Sequence, residues 1–305
     1  MGAIRGASVL ASFLALTLPL MPVQALLVRS GSKRARTFPH WYHRQVCRLL
    51  GIRLHIEGEV DPQRPVLLIA NHSTWLDIPV LSAVAPLSFV AKREVSTWPF
   101  VSSLARLQRT VFVDRTRRTA VGQTAGEITQ RLSAGDTIVL FAEGTSSDGN
   151  RVLPFMTSLF AAAKPAPRDA AVGGDGAAGA QDEQAVVQTL SAVYTHLHGI
   201  PVGREGRPRI AWYGDMEMRS HAWELLKAGP LDVTIRVSAP VPLTSFADRK
   251  ELARHSEAQV REGVVRILRG RPADEPVAVV APESAQSAVR SRLADQAGQD
   301  GRKWT

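Results

Sequence analysis

The sequence contains a single cysteine, Cys47, and it lacks the residue spacings that bind metals or build a catalytic nucleophile. One cysteine excludes an internal disulfide framework and is typical of a protein from a reducing compartment. There is no CxxC, HExxH or cysteine–histidine cluster, so the sequence predicts no metal site, and nothing in it predicts a bound cofactor. There is also no GxSxG elbow, so no nucleophile is placed for covalent catalysis.

Negative charge is scarce, with 28 Asp+Glu against 37 Lys+Arg and a formal net charge of +9. Such an excess suits a nucleic acid or an anionic membrane surface. A nucleic-acid interface should interleave basic residues with exposed aromatic residues, whereas here the basic residues cluster after an apolar N-terminal stretch and at strand ends. We therefore predict an anionic membrane surface, and no nucleic acid, as a partner.

The longest charge-free stretch runs from Gly6 to Val28 and is dense in leucine, alanine and valine. It is long enough for the ~20-residue helix that crosses a bilayer. A cleaved signal peptide is the alternative, since "VQA" at 23–25 has small residues in a cleavage-like spacing. Four basic residues follow directly: Arg29, Lys33, Arg34 and Arg36. Because this bias keeps the following domain on the cytoplasmic side, we predict an uncleaved anchor in a membrane of the bacterial inner-membrane type.

A second membrane element is expected at residues 38–52, "FPHWYHRQVCRLLGI". Aromatic and aliphatic residues recur there near helical spacing with arginines between them, which predicts an amphipathic helix at the lipid interface. A helix packed on the following domain is the alternative. Pro19 and Pro22 leave open whether the anchor spans the bilayer or only dips into it. We assign residues 1–52 to membrane attachment.

Beyond the anchor, short apolar runs that read as strands alternate with helical patterns. The predicted strands are 53–58, 66–70, 87–92, 110–114 and 137–142, with helices at 75–84, 97–107 and 119–135 between them. This alternation predicts an α/β domain over residues 53–268, with a mixed, largely parallel sheet flanked by helices. Within it, residues 164–185 have no large apolar side chain and are predicted to be a flexible insertion. Residues 269–305 are expected to form a poorly ordered tail.

Polar residues stand at the ends of three predicted strands. The segment "NHSTWLDI" (71–78) follows one strand, "VDR" ends the second, and "FAEGTSSDG" (141–149) ends the third. Because ligands of open α/β sheets bind beyond the carboxyl ends of the strands, we predict that one pocket gathers these residues. The candidates are Asn71, His72, Asp77, Arg115, Glu143, Gly144 and Thr145.

A histidine oriented by a carboxylate is a general base whose pKa lies near neutral pH. The simplest use of such a pair is to take a proton from a substrate hydroxyl, which then attacks an activated carbonyl. A membrane anchor makes a lipid the bearer of that hydroxyl. A lipid hydrolase would need a nucleophile that the sequence does not show. A membrane-tethered binding protein without enzymatic activity is a remote alternative, because the net charge of +9 would serve it too.

These blocks resemble those of the glycerolipid acyltransferases, typified by 1-acyl-glycerol-3-phosphate acyltransferase. "NHSTWLDI" is similar to their N-H-x4-D block, "TVFVDR" to their second block, and "FAEGTSSDG" to their third, usually E-G-T-R-S. The order and spacing of all three blocks agree over roughly residues 38–240.

The resemblance implies that His72 is the base, that Asp77 orients it and that Arg115 helps to bind the acceptor head group. It implies a lysolipid acceptor and an acyl thioester donor, carried by coenzyme A or acyl carrier protein. The anchor and the helix after it would then form a membrane-docking motif. The residues expected to shape the same substrate pocket are Asn71, Glu143, Gly144, Thr145 and Ser146.

Two departures from the family pattern bear on the acceptor. Ser146 stands where the third block usually has an arginine, which would be a fork-shaped partner for a phosphate monoester. Thr189 stands at the position of a proline of the fourth block. Meanwhile "EGTSSDGNRVLPF", "YTHLHGIP" and "AWYGDM" resemble the branch that acylates lyso-ornithine lipid, an acceptor without phosphate. We rank lyso-ornithine lipid above lysophosphatidate, which stays open because Lys92 and Arg93 could bind its phosphate.

Overall fold

The computed structural model describes residues 2–113, 118–162 and 185–270. Two helices open the chain, α1 (Gly2–Arg29) and α2 (Arg34–Leu50). The strands are β1 (Ile52–Glu57), β2 (Val66–Ala70), β3 (Ser88–Lys92), β4 (Val111–Val113), β5 (Ile138–Phe141), β6 (Val186–Leu197), β7 (Ile200–Pro201), β8 (Leu231–Val237) and β9 (Val241–Pro242). The further helices are α3 (Asp77–Val84), α4 (Val101–Leu107), α5 (Arg118–Ser133), α6 (Arg207–Ile210), α7 (Met218–Ala228) and α8 (Arg249–Leu268).

The strands form one sheet in the order β1-β8-β6-β2-β5-β3-β4, with the short β7 and β9 also paired to β6. β2 pairs in parallel with β5 and β6, β3 pairs in parallel with β4 and β5, and β1 pairs in parallel with β8. The pairs that β6 makes with β7, β8 and β9 are antiparallel. The predicted mixed, largely parallel sheet flanked by helices is therefore confirmed.

Apolar side chains cover both faces of the central strand β2, in which every residue is buried. Because successive side chains of a strand point to opposite faces, Leu68 and Ala70 pack into one hydrophobic cluster and Leu67 and Ile69 into the other. A strand buried on both faces reads as a continuous apolar run, which is why "VLLIA" was recognisable in the sequence. The polar residues that follow it are carried to the carboxyl edge of the sheet.

The five strands predicted before the insertion are all present, with boundaries that differ by at most two residues over the described part of the chain. The predicted interfacial helix begins earlier, at Arg34, and ends at Leu50. α2 packs on α3 and buries Val46 and Cys47, while Trp41 is 46% exposed. The predicted insertion 164–185 lies outside the described residues except for Ala185, and the tail lies outside them beyond Gly270. The predicted domain limits stay predictions.

Candidate active site

His72 lies two residues beyond the last residue of β2, at the carboxyl edge of the sheet. Its Nδ1 is 2.8 Å from Oδ2 of Asp77. Because an ionised carboxylate only accepts hydrogen bonds, this contact assigns the proton to Nδ1 and the lone pair to Nε2. The imidazole stacks on the ring of Phe141, with 4.1 Å between centroids and an interplanar angle of 18°, which fixes its plane. The side chain is 19% exposed, so the ring remains accessible to a substrate.

Asp77 is the first residue of α3 and is 1% exposed, so its carboxylate needs hydrogen-bond donors. Its Oδ2 accepts from the backbone N–H groups of Ser73 at 2.7 Å and Thr74 at 3.0 Å. Its Oδ1 accepts from the hydroxyl of Tyr194 at 2.9 Å. Burial, and then the charge of Asp77, raise the pKa of Tyr194, so this hydroxyl stays a donor. With His72, four donors compensate the buried negative charge.

The side chain of Asn71 joins β2 to β6 through two hydrogen bonds. Its Nδ2 donates to the carbonyl of Ala192 at 2.9 Å, and its Oδ1 accepts from the N–H of the same residue at 2.8 Å. Asn71 is buried. These bonds extend the sheet past the end of β2 and hold the loop that carries His72, so the geometry gives Asn71 a positioning role beside its predicted contact with substrate.

Glu143 also binds the loop between β2 and α3, residues 71–76, which is called the catalytic loop below because it carries His72. Its Oε1 accepts from the N–H of His72 at 2.8 Å, and its Oε2 accepts from the N–H of Leu153 at 2.7 Å. The residue is 4% exposed. Burial raises the pKa of Glu143 from its ordinary value to about 7, against the opposing effect of the two N–H donors. Glu143 follows the end of β5 by two residues, and its carboxylate therefore holds the loop of His72 in place.

Backbone bonds join the first and third sequence blocks to a later segment of the chain. The N–H of Ser147 donates to the carbonyl of His72 at 2.9 Å, and the N–H of Trp212 donates to the carbonyl of Ser73 at 2.8 Å. The hydroxyl of Ser146 donates to the carbonyl of Trp212. The segment around Trp212 therefore bridges the two blocks beside the His72–Asp77 pair.

The other predicted substrate-binding residues lie at the same edge of the sheet. Gly144 has a φ of 73°, a left-handed conformation that glycine adopts without a steric penalty, and Thr145 is exposed beside it. Lys92 is exposed at the end of β3, which is separated from β2 by β5 alone, or about 10 Å at the usual strand spacing. Arg115 lies outside the described residues, so its place near His72 stays a prediction.

Sequence reasoning did not identify the contributions of Tyr194 and Trp212. Tyr194 lies 117 residues after Asp77, within a strand that also carries Gln188, Thr189, Ser191, Thr195 and His196, so its hydroxyl did not stand out in the sequence. Trp212 acts through its backbone, which no side-chain pattern can reveal. The motif "AWYGDM" drew attention to the segment without showing what it contacts.

The arrangement suits general base catalysis on a hydroxyl group. An imidazole whose Nδ1 is held by a buried carboxylate leaves Nε2 for a proton donor at the open edge of the sheet. Within the described ranges, no group of three or more His, Cys, Asp or Glu side chains could hold a metal ion.

Comparisons with known proteins show which proteins this chain is similar to. The Acyltransferase family model matches residues 51–174. A lyso-ornithine lipid O-acyltransferase from Brucella abortus is 44% identical over 274 residues, which cover 90% of this chain and 99% of that relative. Another, from Rhizobium meliloti, is 41% identical over 284 residues, covering 91% and 94%. The crystal structure of the 1-acyl-sn-glycerophosphate acyltransferase PlsC from Thermotoga maritima is similar in fold, with a TM-score of 0.56 at 23% identity over 88% of this chain and 98% of that one.

The fold, the site and these matches together define the class of protein: an O-acyltransferase that acts on lysolipids. Its sequence motifs and its relatives indicate the same family within that class. The chain belongs to the glycerolipid acyltransferase family, as its sequence blocks predicted.

The raised pKa of Glu143 gives a testable pH dependence of stability. Between pH 4.5 and about 7 the folded protein holds a proton that the unfolded chain has lost, so the free energy of unfolding falls as pH rises through this window. The loss amounts to at most about 3 kcal/mol. Glu143→Gln removes the titrating group, so the fall in unfolding temperature between pH 5 and pH 7 should be smaller in this variant than in the wild type.

The matched control is Glu257→Gln. Its carboxylate also accepts a backbone hydrogen bond, from Phe155 at 2.9 Å, but its side chain is 29% exposed. That variant should keep the wild-type pH dependence. An unchanged pH dependence in Glu143→Gln would contradict the assignment.

Proposed function

We propose that this acyltransferase moves a fatty acyl group from an acyl thioester, carried by coenzyme A or acyl carrier protein, to the hydroxyl of lyso-ornithine lipid. The observation that carries the proposal is the 2.8 Å contact between Nδ1 of His72 and Oδ2 of Asp77 at the carboxyl edge of the sheet. The acceptor is supported by the two relatives that align over nine-tenths of this chain, both of which are lyso-ornithine lipid O-acyltransferases.

In the proposed reaction, Nε2 of His72 takes the proton of the acceptor hydroxyl as its oxygen attacks the thioester carbonyl. The carbon–sulfur bond then breaks, and the thiolate leaves with the proton from the imidazolium. An ester and a free thiol are the products, and no other reactant is needed. Asp77 holds the imidazole in the correct tautomer and stabilises its transient positive charge.

The choice of acceptor is supported by Ser146. An arginine at this position would offer a phosphate monoester two parallel N–H donors. The hydroxyl of Ser146 instead donates to the carbonyl of Trp212, so this side chain is used within the protein. The phosphate acceptor, lysophosphatidate, remains the second candidate because Lys92 is exposed at the same edge of the sheet.

We expect the purified enzyme to prefer lyso-ornithine lipid when it is offered beside lysophosphatidate with one acyl thioester. The physical reason is that position 146 carries a serine, whereas an arginine there would offer a phosphate monoester two parallel donors. The measurement is kcat/KM for each acceptor at matched lipid surface concentration. A preference for lysophosphatidate would overturn the proposed acceptor.

Two variants at the same position sharpen this comparison. Ser146→Arg supplies the missing guanidinium and should raise kcat/KM for lysophosphatidate relative to lyso-ornithine lipid. Ser146→Ala removes only the hydrogen bond to Trp212, so it controls for disturbance of the bridge. Ser146→Ala should leave the acceptor ratio unchanged.

The membrane-facing part of the proposal rests on α1. This helix is long and apolar enough to cross a bilayer by length and composition. Its buried residues Gly6, Thr17 and Gln24 are spaced by near-multiples of 3.6 and so share one face. The opposite side of the helix exposes apolar residues, of which Ile4, Leu18 and Leu26 are more than half exposed. The enzyme associates with membranes, and this exposed face is the surface we propose for lipid contact.

Polar contacts along α1 support a helix that lies on the catalytic domain. Arg5 donates to the carbonyls of Leu50 and Leu226 near one end, and Gln24 donates to those of Ala35 and Leu107 near the other. Arg5 and Gln24 are separated by about 28 Å along the helix, close to the thickness of the hydrocarbon core. If α1 spanned the bilayer upright, the polar surfaces beside it would have to enter the hydrocarbon. We therefore propose that α1 lies in the cytoplasmic interface with the domain.

This orientation predicts that both ends of α1 face the same side of the membrane. Single cysteines placed by Ala3→Cys and Ser30→Cys, both exposed positions, should react with an impermeant maleimide from the cytoplasmic side only. The native Cys47 should not react, because burial raises the pKa of its thiol to about 12. Labelling of the two positions from opposite sides would show a spanning helix.

A further inference from the structure

A cleft beside the catalytic loop has no role in the reaction described above. It lies between the end of β2, the turn after β5, the outer part of β6 and α6. Its polar lining includes Ser73, Ser147, Tyr194, Arg151 and Arg207. Because β6 runs parallel to β2 and extends past its end, the cleft opens at the same edge of the sheet as His72.

Among the residues that the structure describes, the guanidinium of Arg207 has a hydrogen-bond acceptor at one nitrogen. Its Nη1 donates to Oδ1 of Asn150 at 2.7 Å. Its Nε is buried and has no acceptor among the described residues. A buried charged donor without an acceptor destabilises a fold, so its presence calls for a ligand that supplies one. Burial lowers the pKa of Arg207, and the charge of Asp148 opposes that effect.

The unused edge of Arg207 has the geometry that binds a carboxylate. With Nη1 occupied, Nε and Nη2 remain, and these two donors lie side by side on one edge of the planar group. The same edge is used elsewhere in this protein, where Nε and Nη2 of Arg53 donate to the two oxygens of Asp232 at 2.7 and 2.8 Å. A carboxylate entering the cleft would find the same pair of donors at Arg207.

The cleft shares lining residues with the loop that carries His72. Ser73 and Ser147 line it. Ser73 directly follows His72 in the chain, and the N–H of Ser147 donates to the carbonyl of His72. Tyr194 lines it as well, and its hydroxyl donates to Asp77. The cleft therefore adjoins the groups that hold His72 and Asp77 in place.

We propose that this cleft binds the carboxylate of the acceptor head group, with Nε and Nη2 of Arg207 as its two donors. The inference rests on the proposed function, because ornithine joined to a fatty chain through one amine keeps its carboxylate and its second amine. Arg151 also lines the cleft and adds positive charge to it, which favours an anionic group.

The test compares two acceptors on the full-length enzyme: lyso-ornithine lipid and the same lipid with its carboxylate converted to a carboxamide. The wild type should prefer the acid by about 10–100-fold in kcat/KM, the range expected for hydrogen bonds to a charged group. Arg207→Gln should bring the ratio of acid to amide close to one, mainly through KM for the acid. Arg207→Lys should restore part of the preference, because it returns the charge without the fork.

Two controls separate recognition from folding. Arg204→Gln removes an exposed side chain of the same basic segment and should keep the wild-type ratio. Asn150→Ala removes the bond to Nη1 but leaves the guanidinium, so a preference for the acid should persist in this variant. If Arg207→Gln and Asn150→Ala lost activity equally on both acceptors, Arg207 would be a structural brace and the inference would be wrong.

The remaining outcomes are also decisive. A rise in KM for the acyl thioester in Arg207→Gln, with an unchanged acid-to-amide ratio, would assign the cleft to a phosphate of the donor and overturn the inference alone. A wild-type enzyme that does not acylate lyso-ornithine lipid would overturn the proposed function, and the inference with it. A wild type that acylates both forms equally would leave the proposed function standing and remove the inference.

Discussion

Replacing His72 with alanine is expected to lower the rate of acyl transfer by about 10²–10⁴-fold, the usual contribution of a general base. The loss should fall on kcat, because the ring acts on the proton of the acceptor hydroxyl and contributes little to lipid binding. Asp77 keeps three donors in this variant, from Ser73, Thr74 and Tyr194, so the loop should keep its conformation. The measurement is single-turnover acyl transfer with purified lipids, together with flotation on vesicles, which should be unchanged.

The matched control for this variant is His196→Ala. His196 lies near the end of β6, where its Nδ1 contacts the hydroxyl of the adjacent Thr195, and it makes no described contact with Asp77. It should retain nearly full activity. Near-wild-type turnover in His72→Ala would refute the mechanism, since Nε2 of that ring is its only proposed proton acceptor.

The second large effect is expected from Asp77→Asn, which should lower kcat by about 10³-fold, approaching the ~10⁴-fold loss known for the corresponding change in a histidine–carboxylate pair. An asparagine oxygen can still accept from Ser73 and Thr74, and its amide can donate to the Tyr194 hydroxyl, so the fold should survive. What is lost is the negative charge beside the imidazolium. Activity should therefore fall far more than the unfolding temperature.

Tyr194→Phe separates the charge of Asp77 from its hydrogen-bond network. This variant removes one donor to the carboxylate but keeps its charge, so activity should fall by no more than about tenfold, the equivalent of ~1.4 kcal/mol for a lost hydrogen bond. The comparison of kcat and unfolding temperature across the two variants is the measurement. Full activity in Asp77→Asn would argue against an orienting carboxylate.

The sequence made the His72–Asp77 pair predictable because its members are five residues apart. A strand that ends at Ala70 and a helix that begins at Asp77 leave a short loop, and the first turn of that helix returns the carboxylate to the loop. This geometry is local, so a motif can carry it. Gly144 was expected at the same edge because it follows a predicted strand, whereas its left-handed φ of 73° came only from the structure.

The role of Glu143 could not be predicted from the sequence. The sequence placed this residue in the substrate pocket, and its place at the end of β5 is as expected. Its two oxygens, however, accept from the backbone of residues on both sides of it, His72 and Leu153. Backbone donors leave no trace in a residue pattern, so a bracing carboxylate and a substrate-binding one look the same in the sequence.

The sequence by itself determined the alternation of strands and helices, the apolar N-terminal segment and the residues at the strand ends, because each depends on periodicity or on neighbours a few residues apart. Only the tertiary structure decided which side chains meet across the sheet. It brought Tyr194 to Asp77 and Trp212 to the catalytic loop, and it left one edge of Arg207 without an acceptor among the described residues. Those contacts join residues more than 50 positions apart, and their geometry depends on strand order and register, which local patterns do not encode.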